Sequence, residues 1–337
     1  MPESEAMLSN VASKAAAFPL IGAAVLSVAL QRICAQVQSR PEVRSEMLVS
    51  TAWLEQHLND RDLIVLHIGR DRDKFDSGHI PGSRFVRLDD LVEQRKDSLN
   101  ELPPIADLQA TFESLGVGER SRVVLADDVG GVLAARAYFT LDYLGHGDRV
   151  ALLDGGLKTW ILESRRESKQ EAFVARAEFS PHPKPGILVS TSQMRQLSLG
   201  ATKSASDYVL LDARPMAEYT GVVNSESIPK AGHIAGSQSL YWKKLLRSDA
   251  NPHLLDAEGL RKQFEYSGAG PGKSVVTYCR TGMQSSFTYF VAKYLGYRAA
   301  MYDGSVYEWV RAAGNELVTS PAAERTSAAH QQRNLAR

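Results

Sequence analysis

Only two cysteines, Cys34 and Cys279, occur in 337 residues. Two distant thiols cannot form the disulfide framework of a small secreted domain or the clustered ligands of a structural zinc site. An excess of charge of either sign is also lacking, since 39 lysines and arginines meet 39 aspartates and glutamates. No overall field therefore recruits a nucleic acid or other polyanion, and charge recognition must be local. No cofactor or metal motif is visible, and none is expected.

Long apolar runs are missing except for Ala15 to Leu30, in AAAFPLIGAAVLSVALQRICAQVQS. That run follows Lys14 and ends at Gln31 and Arg32, the length of a signal-peptide core and short for a membrane span. Residues 1–35 are expected to be a signal peptide, with Ile33 and Ala35 supplying the cleavage site. An uncleaved anchor or an amphipathic N-terminal helix is the alternative. Cleavage would leave Cys279 as the only thiol, give a periplasmic or extracellular protein without a stable membrane span, and remove Cys34. If the N-terminal segment is not a signal, the expected location is cytoplasmic.

What the chain does have is two copies of everything. MLVSTAWLEQHL from Met47 echoes in ILVSTSQMRQLSL from Ile187, and LIVLHIG at Leu63 in YVLLDAR at Tyr208. SGHIPGS at Ser77 answers AGHIAGS at Ala231, SRVVLADDVGG at Ser121 answers KSVVTYCRTGM at Lys273, and DGGLKTW at Asp154 answers DGSVYEW at Asp303. The order is kept while the offset drifts narrowly, from 140 (Leu48/Leu188) to 154 (His79/His233). Repeats of this length are tandem domains, because solenoid units are much shorter.

Short continuous apolar runs separated by amphipathic segments predict an α/β fold, with each copy a parallel sheet covered by helices on both faces. The predicted domains are 45–166 and 187–320. Between them, 167–186 is a linker, where Pro181, Pro183 and Pro185 block regular structure. Residues 321–337 form a polar tail expected to be disordered, or alternatively to cap an interdomain groove. Phe287, Phe290, Val291, Tyr294 and Leu295 fall on one face of a predicted helix beginning near Ser285, and Leu133, Ala137, Leu141 and Leu144 repeat the pattern.

Cys279 closes the apolar run SVVTY and stands before that helix, at the carboxyl edge of a sheet, where ligand crevices of open α/β sheets form. A lone cysteine after an apolar strand is ordinarily a small buried hydrophobe. Here the following residues are polar, Arg280 adjoins it, and the first copy holds Asp127 at the same place, a poor substitute for a core thiol. Peptide N–H groups of a short loop containing Gly282, together with the positive end of the helix, favour a thiolate, which is the nucleophilic form. One rival chemistry, phosphoryl transfer by a cysteine loop with five residues between cysteine and arginine, is disfavoured because that arginine position is Ser285.

The ordered set GHIPGS, AGHIAGS, LLDARPMAEYTG, CRTGMQSS, and DG followed by Trp160 or Trp309 resembles the tandem-domain rhodanese family of sulfurtransferases, from about Met47 to Leu317. The resemblance implies a catalytically silent first domain and an active second one. It further implies that Cys279 attacks the outer sulfur of a donor, becomes a persulfide, and passes the sulfur to cyanide or a thiol. Arg280, Thr281, Gly282, Met283, Gln284 and Ser285 are then the loop that cradles sulfur and donor. Arginine after the cysteine resembles the branch that uses thiosulfate, whereas glycine there resembles the 3-mercaptopyruvate branch. The best-known thiosulfate enzymes carry a second basic residue where Thr281 stands and an arginine where Glu218 aligns. A 3-mercaptopyruvate or persulfide donor is therefore the alternative, and a non-catalytic binding module of the same fold is the alternative of another class. Arg214 is expected to brace the site through Asp212 or Glu218, His79 and His233 to bond nearby backbone in turns, and Trp160 and Trp309 to anchor cores. Oligomeric state is left open.

Overall fold

The computed structural model describes residues 40–202, 206–225 and 227–321. The expected signal peptide, Cys34 and the tail beyond Pro321 lie outside the described residues. The first repeat runs β1 (Leu48–Val49), α1 (Thr51–His57), β2 (Leu63–Gly69), α2 (Asp73–Ser77), β3 (Arg84–Arg87), α3 (Ile105–Ser114), β4 (Arg122–Ala126), α4 (Val132–Tyr143), β5 (Val150–Leu153) and α5 (Gly156–Leu162). The second runs α6 (Thr191–Ala201), β6 (Tyr208–Asp212), α7 (Met216–Tyr219), β7 (Gln238–Ser239), α8 (Ala257–Tyr266), β8 (Ser274–Tyr278), α9 (Met283–Tyr294), β9 (Ala299–Met301) and α10 (Ser305–Trp309).

Both sheets are parallel, in the orders β1-β5-β4-β2-β3 and β7-β6-β8-β9. The second sheet keeps a remnant of the missing edge: Leu188 makes a single parallel bridge to Met301, where Leu48 pairs with Leu152 in the first. The central strands β4 and β8 are buried from their second residue onward, as β-branched runs covered on both faces must be. Equivalent serines start the first helix of each repeat. Ser50 Oγ accepts from the Trp53 amide and Ser190 Oγ from the Gln193 amide, the latter within a reciprocal capping box.

The repeats share other local bonds. Trp160 and Trp309 are buried, and each donates Nε1–H over 2.9 Å to a carbonyl just beyond its helix, that of Arg166 or Glu316. His79 lies 2.8 Å from Phe75 O and stacks on the Phe75 ring, while His233 lies 2.8 Å from Tyr219 O and stacks on Tyr219. Both are therefore turn histidines held by backbone. The stretch 167–186 has no helix or strand before a short turn at Pro185–Ile187, yet it is docked: Phe179 is buried against Phe112, and the His182 amide bonds Leu144 O.

Where the repeats meet, α4 packs against α9, with Tyr138 edge-on to Phe290 and Phe139 edge-on to Tyr289. Every residue from Leu133 to Asp142 and from Ser285 to Ala292 is buried. The expected single apolar face is thus only half of the burial; the other half faces the opposite repeat. The two charged residues of α4 are both answered. Arg136 pairs with Asp303, while Asp142 accepts from Tyr289 at 2.7 Å and Lys184 at 3.0 Å and lies 3.3 Å from Lys293. Helix α9 begins at Met283, two residues before the expected start. The reason is Gly282, whose φ of 85° lets the chain leave the loop and enter the helix in one step.

Candidate active site

Cys279 follows β8 at its carboxyl end, and the loop to α9 is only Arg280, Thr281 and Gly282. The carbonyls of Cys279 and Arg280 accept from the amides of Val306 and Tyr307 at 3.1 and 3.0 Å. A trans peptide points its N–H opposite its carbonyl, so anchoring these two turns the amides of Arg280 and Thr281 away from α10. Ser305 completes the anchor. Its Oγ accepts from the amides of Cys279 (3.1 Å) and Gly282 (3.2 Å) and donates to Tyr302 O (3.0 Å).

The first repeat displays what such a loop holds. Asp127, at the position equivalent to Cys279, is buried and accepts four backbone N–H bonds, from Val129 (3.0 Å), Gly131 (2.8 Å), Leu133 (2.7 Å) and Ala134 (2.9 Å). Burial pushes its carboxyl up, against the pull of those four amides. The strands correspond at an offset of 152 and the helices at 151, because the second loop is one residue shorter, so the helix amides corresponding to Leu133 and Ala134 belong to Gln284 and Ser285. In the first repeat the loop is therefore an anion seat filled by a side-chain carboxylate, and Cys279 stands at the equivalent place in the second.

Cys279 itself is 1 % exposed, and among the described residues it is a free cysteine. The Ser285 hydroxyl lies 3.5 Å from Sγ, 3.0 Å from Gly282 O and 3.3 Å from the Met301 sulfur. Serine at the position where a phosphatase loop carries arginine leaves the sulfur facing a hydroxyl. With so little surface exposed, a donor must be slender at its reacting end, or the loop must shift to admit it.

The charged residues expected near the cysteine sort into two groups. Arg280, with its side chain 35 % exposed, pairs with the nearly buried Glu218. Arg214 donates to both oxygens of Asp212, from Nε at 3.0 and 3.1 Å, and its Nη1 lies 3.9 Å from Glu218. A chain Asp212, Arg214, Glu218, Arg280 therefore links the end of β6 to the loop, and Arg280 is not a free cation. Met283 opens α9, packed against the main core, and Gln284 carries a buried side-chain oxygen without a hydrogen-bond partner among the described residues.

Five residues beyond the expected set converge on the loop, three of them from the first repeat. Asn100 reaches Thr281, Arg136 and Asp303 form a buried pair with Nη2 to Oδ2 at 2.9 Å, and Ser305 anchors the loop. Glu101 is the fifth. Burial, then the neighbouring Asp303 and Glu308, push its carboxyl up to about 7, against Arg136 and Arg95, and its Oε1 is buried without a hydrogen-bond partner among the described residues. A sequence signal existed for Ser305 alone, because DGG in the first repeat becomes DGS in the second. Gly156 and Ser305 occupy the same left-handed backbone, at φ 59° and 54°, a conformation that disfavours serine unless its side chain is used.

Glu101 gives a pH prediction. Its folded-state pKa lies above the usual value of 4.5, so its protonated form stabilises the fold fully below pH 4.5, and that contribution is lost as pH rises through about 7. Urea titrations should show this loss, on the order of 3 kcal/mol at most, and Glu101→Gln should flatten the slope between those two values. An unchanged slope in the variant would assign the dependence elsewhere.

Comparison with known proteins agrees with this geometry. The model of the rhodanese-like domain matches twice, over residues 50–163 and 197–312. The sulfur carrier protein TtuD of Thermus thermophilus is 31 % identical over 78 % of this chain and 93 % of its own. A thiosulfate sulfurtransferase of Pseudomonas aeruginosa is 32 % identical, with the same shares covered. The structure of the anaerobic ergothioneine biosynthesis enzyme from Chlorobium limicola superposes with a TM-score of 0.71 over 82 % of this chain and 71 % of that one, at 24 % identity, a likeness of fold. Two parallel α/β units, each ending its central strand in a short loop that opens a helix and each matched by the same domain model, make this chain a member of the rhodanese-like domain family.

Proposed function

We propose that this protein is a sulfurtransferase that takes the outer sulfur of thiosulfate onto Cys279 and delivers it to cyanide or a thiol. The observation that carries this reading is the placement of Cys279 where the first copy has an anion seat, with four amides on Asp127. The Cys279 thiolate attacks the outer sulfur, the S–S bond breaks, and sulfite leaves with its electron pair. The resulting persulfide anion lies among amides suited to negative charge. An acceptor thiolate or cyanide then attacks the terminal sulfur, forming an acceptor persulfide or thiocyanate and returning the thiolate. The names of relatives, a thiosulfate sulfurtransferase and a sulfur carrier protein, support sulfur transfer of this kind.

A second reading, with 3-mercaptopyruvate or a persulfide as donor, is favoured by one observation: Glu218 already neutralises Arg280. Steady-state comparison of thiosulfate with 3-mercaptopyruvate, together with intact mass of the loaded protein, separates the readings. One added sulfur atom after thiosulfate is the expected result; no load from any sulfane donor would leave only a binding module. Because the Arg280 pair is partly exposed, a dianion can exchange with Glu218 for the guanidinium. Arg280→Gly should lower kcat/KM for thiosulfate about tenfold while sparing 3-mercaptopyruvate. Equal effects on both donors would remove arginine from donor choice.

We further propose export, on the strength of the run Ala15 to Leu30 and its flanking residues. N-terminal sequencing of protein from its native host should begin at Gln36. Among the described residues no helix is long and apolar enough to cross a membrane.

A further inference from the structure

Asn100 belongs to the first repeat, 181 residues before the loop it touches. Its backbone is left-handed, with φ 59°, an unfavourable conformation that asparagine tolerates better than most residues. Every polar group of the residue is engaged. The amide and side-chain oxygen bond the Gln94 carboxamide at 3.3 and 3.0 Å, and the carbonyl accepts from Arg136 Nη2. Its Nδ2 donates to Thr281 O at 3.1 Å and lies 3.0 Å from Thr281 Oγ1. Because a carbonyl oxygen can only accept, the nitrogen of the carboxamide must face the loop.

The Thr281–Gly282 peptide is thereby held at both ends, its carbonyl by Asn100 and its N–H by Ser305 Oγ at 3.2 Å. Below it the loop cannot sink. A Cβ on Gly282 would stand 2.3 Å from Asp303 Oδ1, the oxygen held by Arg136 Nη1. We infer that Asn100 is a positioning residue for the second repeat's sulfur cradle: its carboxamide fixes the Thr281–Gly282 peptide so that the flanking amides stay aimed at the Cys279 sulfur. The inference rests on sulfur transfer at Cys279 and adds a task for the repeat that lacks a cysteine.

Three forms of the full chain test it: wild type, Asn100→Gly, which accepts the left-handed backbone but has no carboxamide, and Asn100→Asp, which turns an oxygen toward Thr281 O and adds negative charge. Single-turnover loading from thiosulfate, steady-state kcat and KM, and the urea midpoint are measured for each. Loading rate and kcat should fall in the order Asn, Gly, Asp, about tenfold at the first step, with thiosulfate KM nearly constant. Loading rates equal in all three, or an order that tracks the urea midpoints instead, would overturn the inference. A wild type that takes no sulfur from any sulfane donor would instead overturn the reading on which it rests.

Discussion

Cys279→Ser should lose sulfur transfer from thiosulfate to cyanide by at least about a thousandfold, since a serine hydroxyl cannot carry a persulfide and is a far weaker nucleophile near neutrality. The fold should be unaffected. The side chain is nearly isosteric, and its surroundings include the Ser285 hydroxyl 3.5 Å away, a partner that suits oxygen as well as sulfur. Thiocyanate production, intact mass after thiosulfate treatment and the urea midpoint check the three parts. An undiminished rate would reject Cys279 as the nucleophile. A lowered rate accompanied by a shifted midpoint would mean the thiol mainly supports packing, as its membership of the hydrophobic core would otherwise suggest.

The largest stability change is expected from Arg136→Met. Arg136 and Asp303 have side-chain exposures of 0 % and 1 %, and they join the repeats directly beneath the sulfur loop. Methionine fills most of the space but leaves the Asp303 carboxylate buried without its counter-ion, which costs about 3–5 kcal/mol. That is a large share of a stability of roughly 5–15 kcal/mol. Urea denaturation should register the loss, and adding Asp303→Asn should restore part of it, because the stranded charge disappears. If the double variant is no better than the single one, the pair acts through shape and not charge.

Much of the architecture is legible in the amino-acid order because the evidence for it is local. The runs LIVLHIG and YVLLD read as buried strands, the serines of VSTAW and VSTSQ cap their helices, and the doubled motifs announce two units. Asp127 in place of a cysteine distinguishes the two loops without coordinates. What escapes is whatever depends on the two units meeting. Helices α4 and α9 look one-faced in projection because periodicity weighs only apolar residues, and the second face is buried against another helix. The near absence of charge from Met283 to Tyr294, broken only by Lys293, is a usable sign of that burial. Asn100, Glu101 and Arg136 carry no motif; they matter through partners more than 160 residues away, Thr281 and Asp303, or, for Glu101, through the field of Asp303 and Glu308. Arg280 is the converse case. The sequence places a cation beside the thiol, but only the fold shows Glu218 already holding it.

The carboxylate of Asp127 amounts to a permanently tethered competitive inhibitor. Covalently attached to its own loop, it holds those amides at an effective concentration that no dissolved small anion can match. The molecule presents two look-alike berths, one filled from within; with Cys279 as the proposed carrier, the expected stoichiometry is one sulfur per chain.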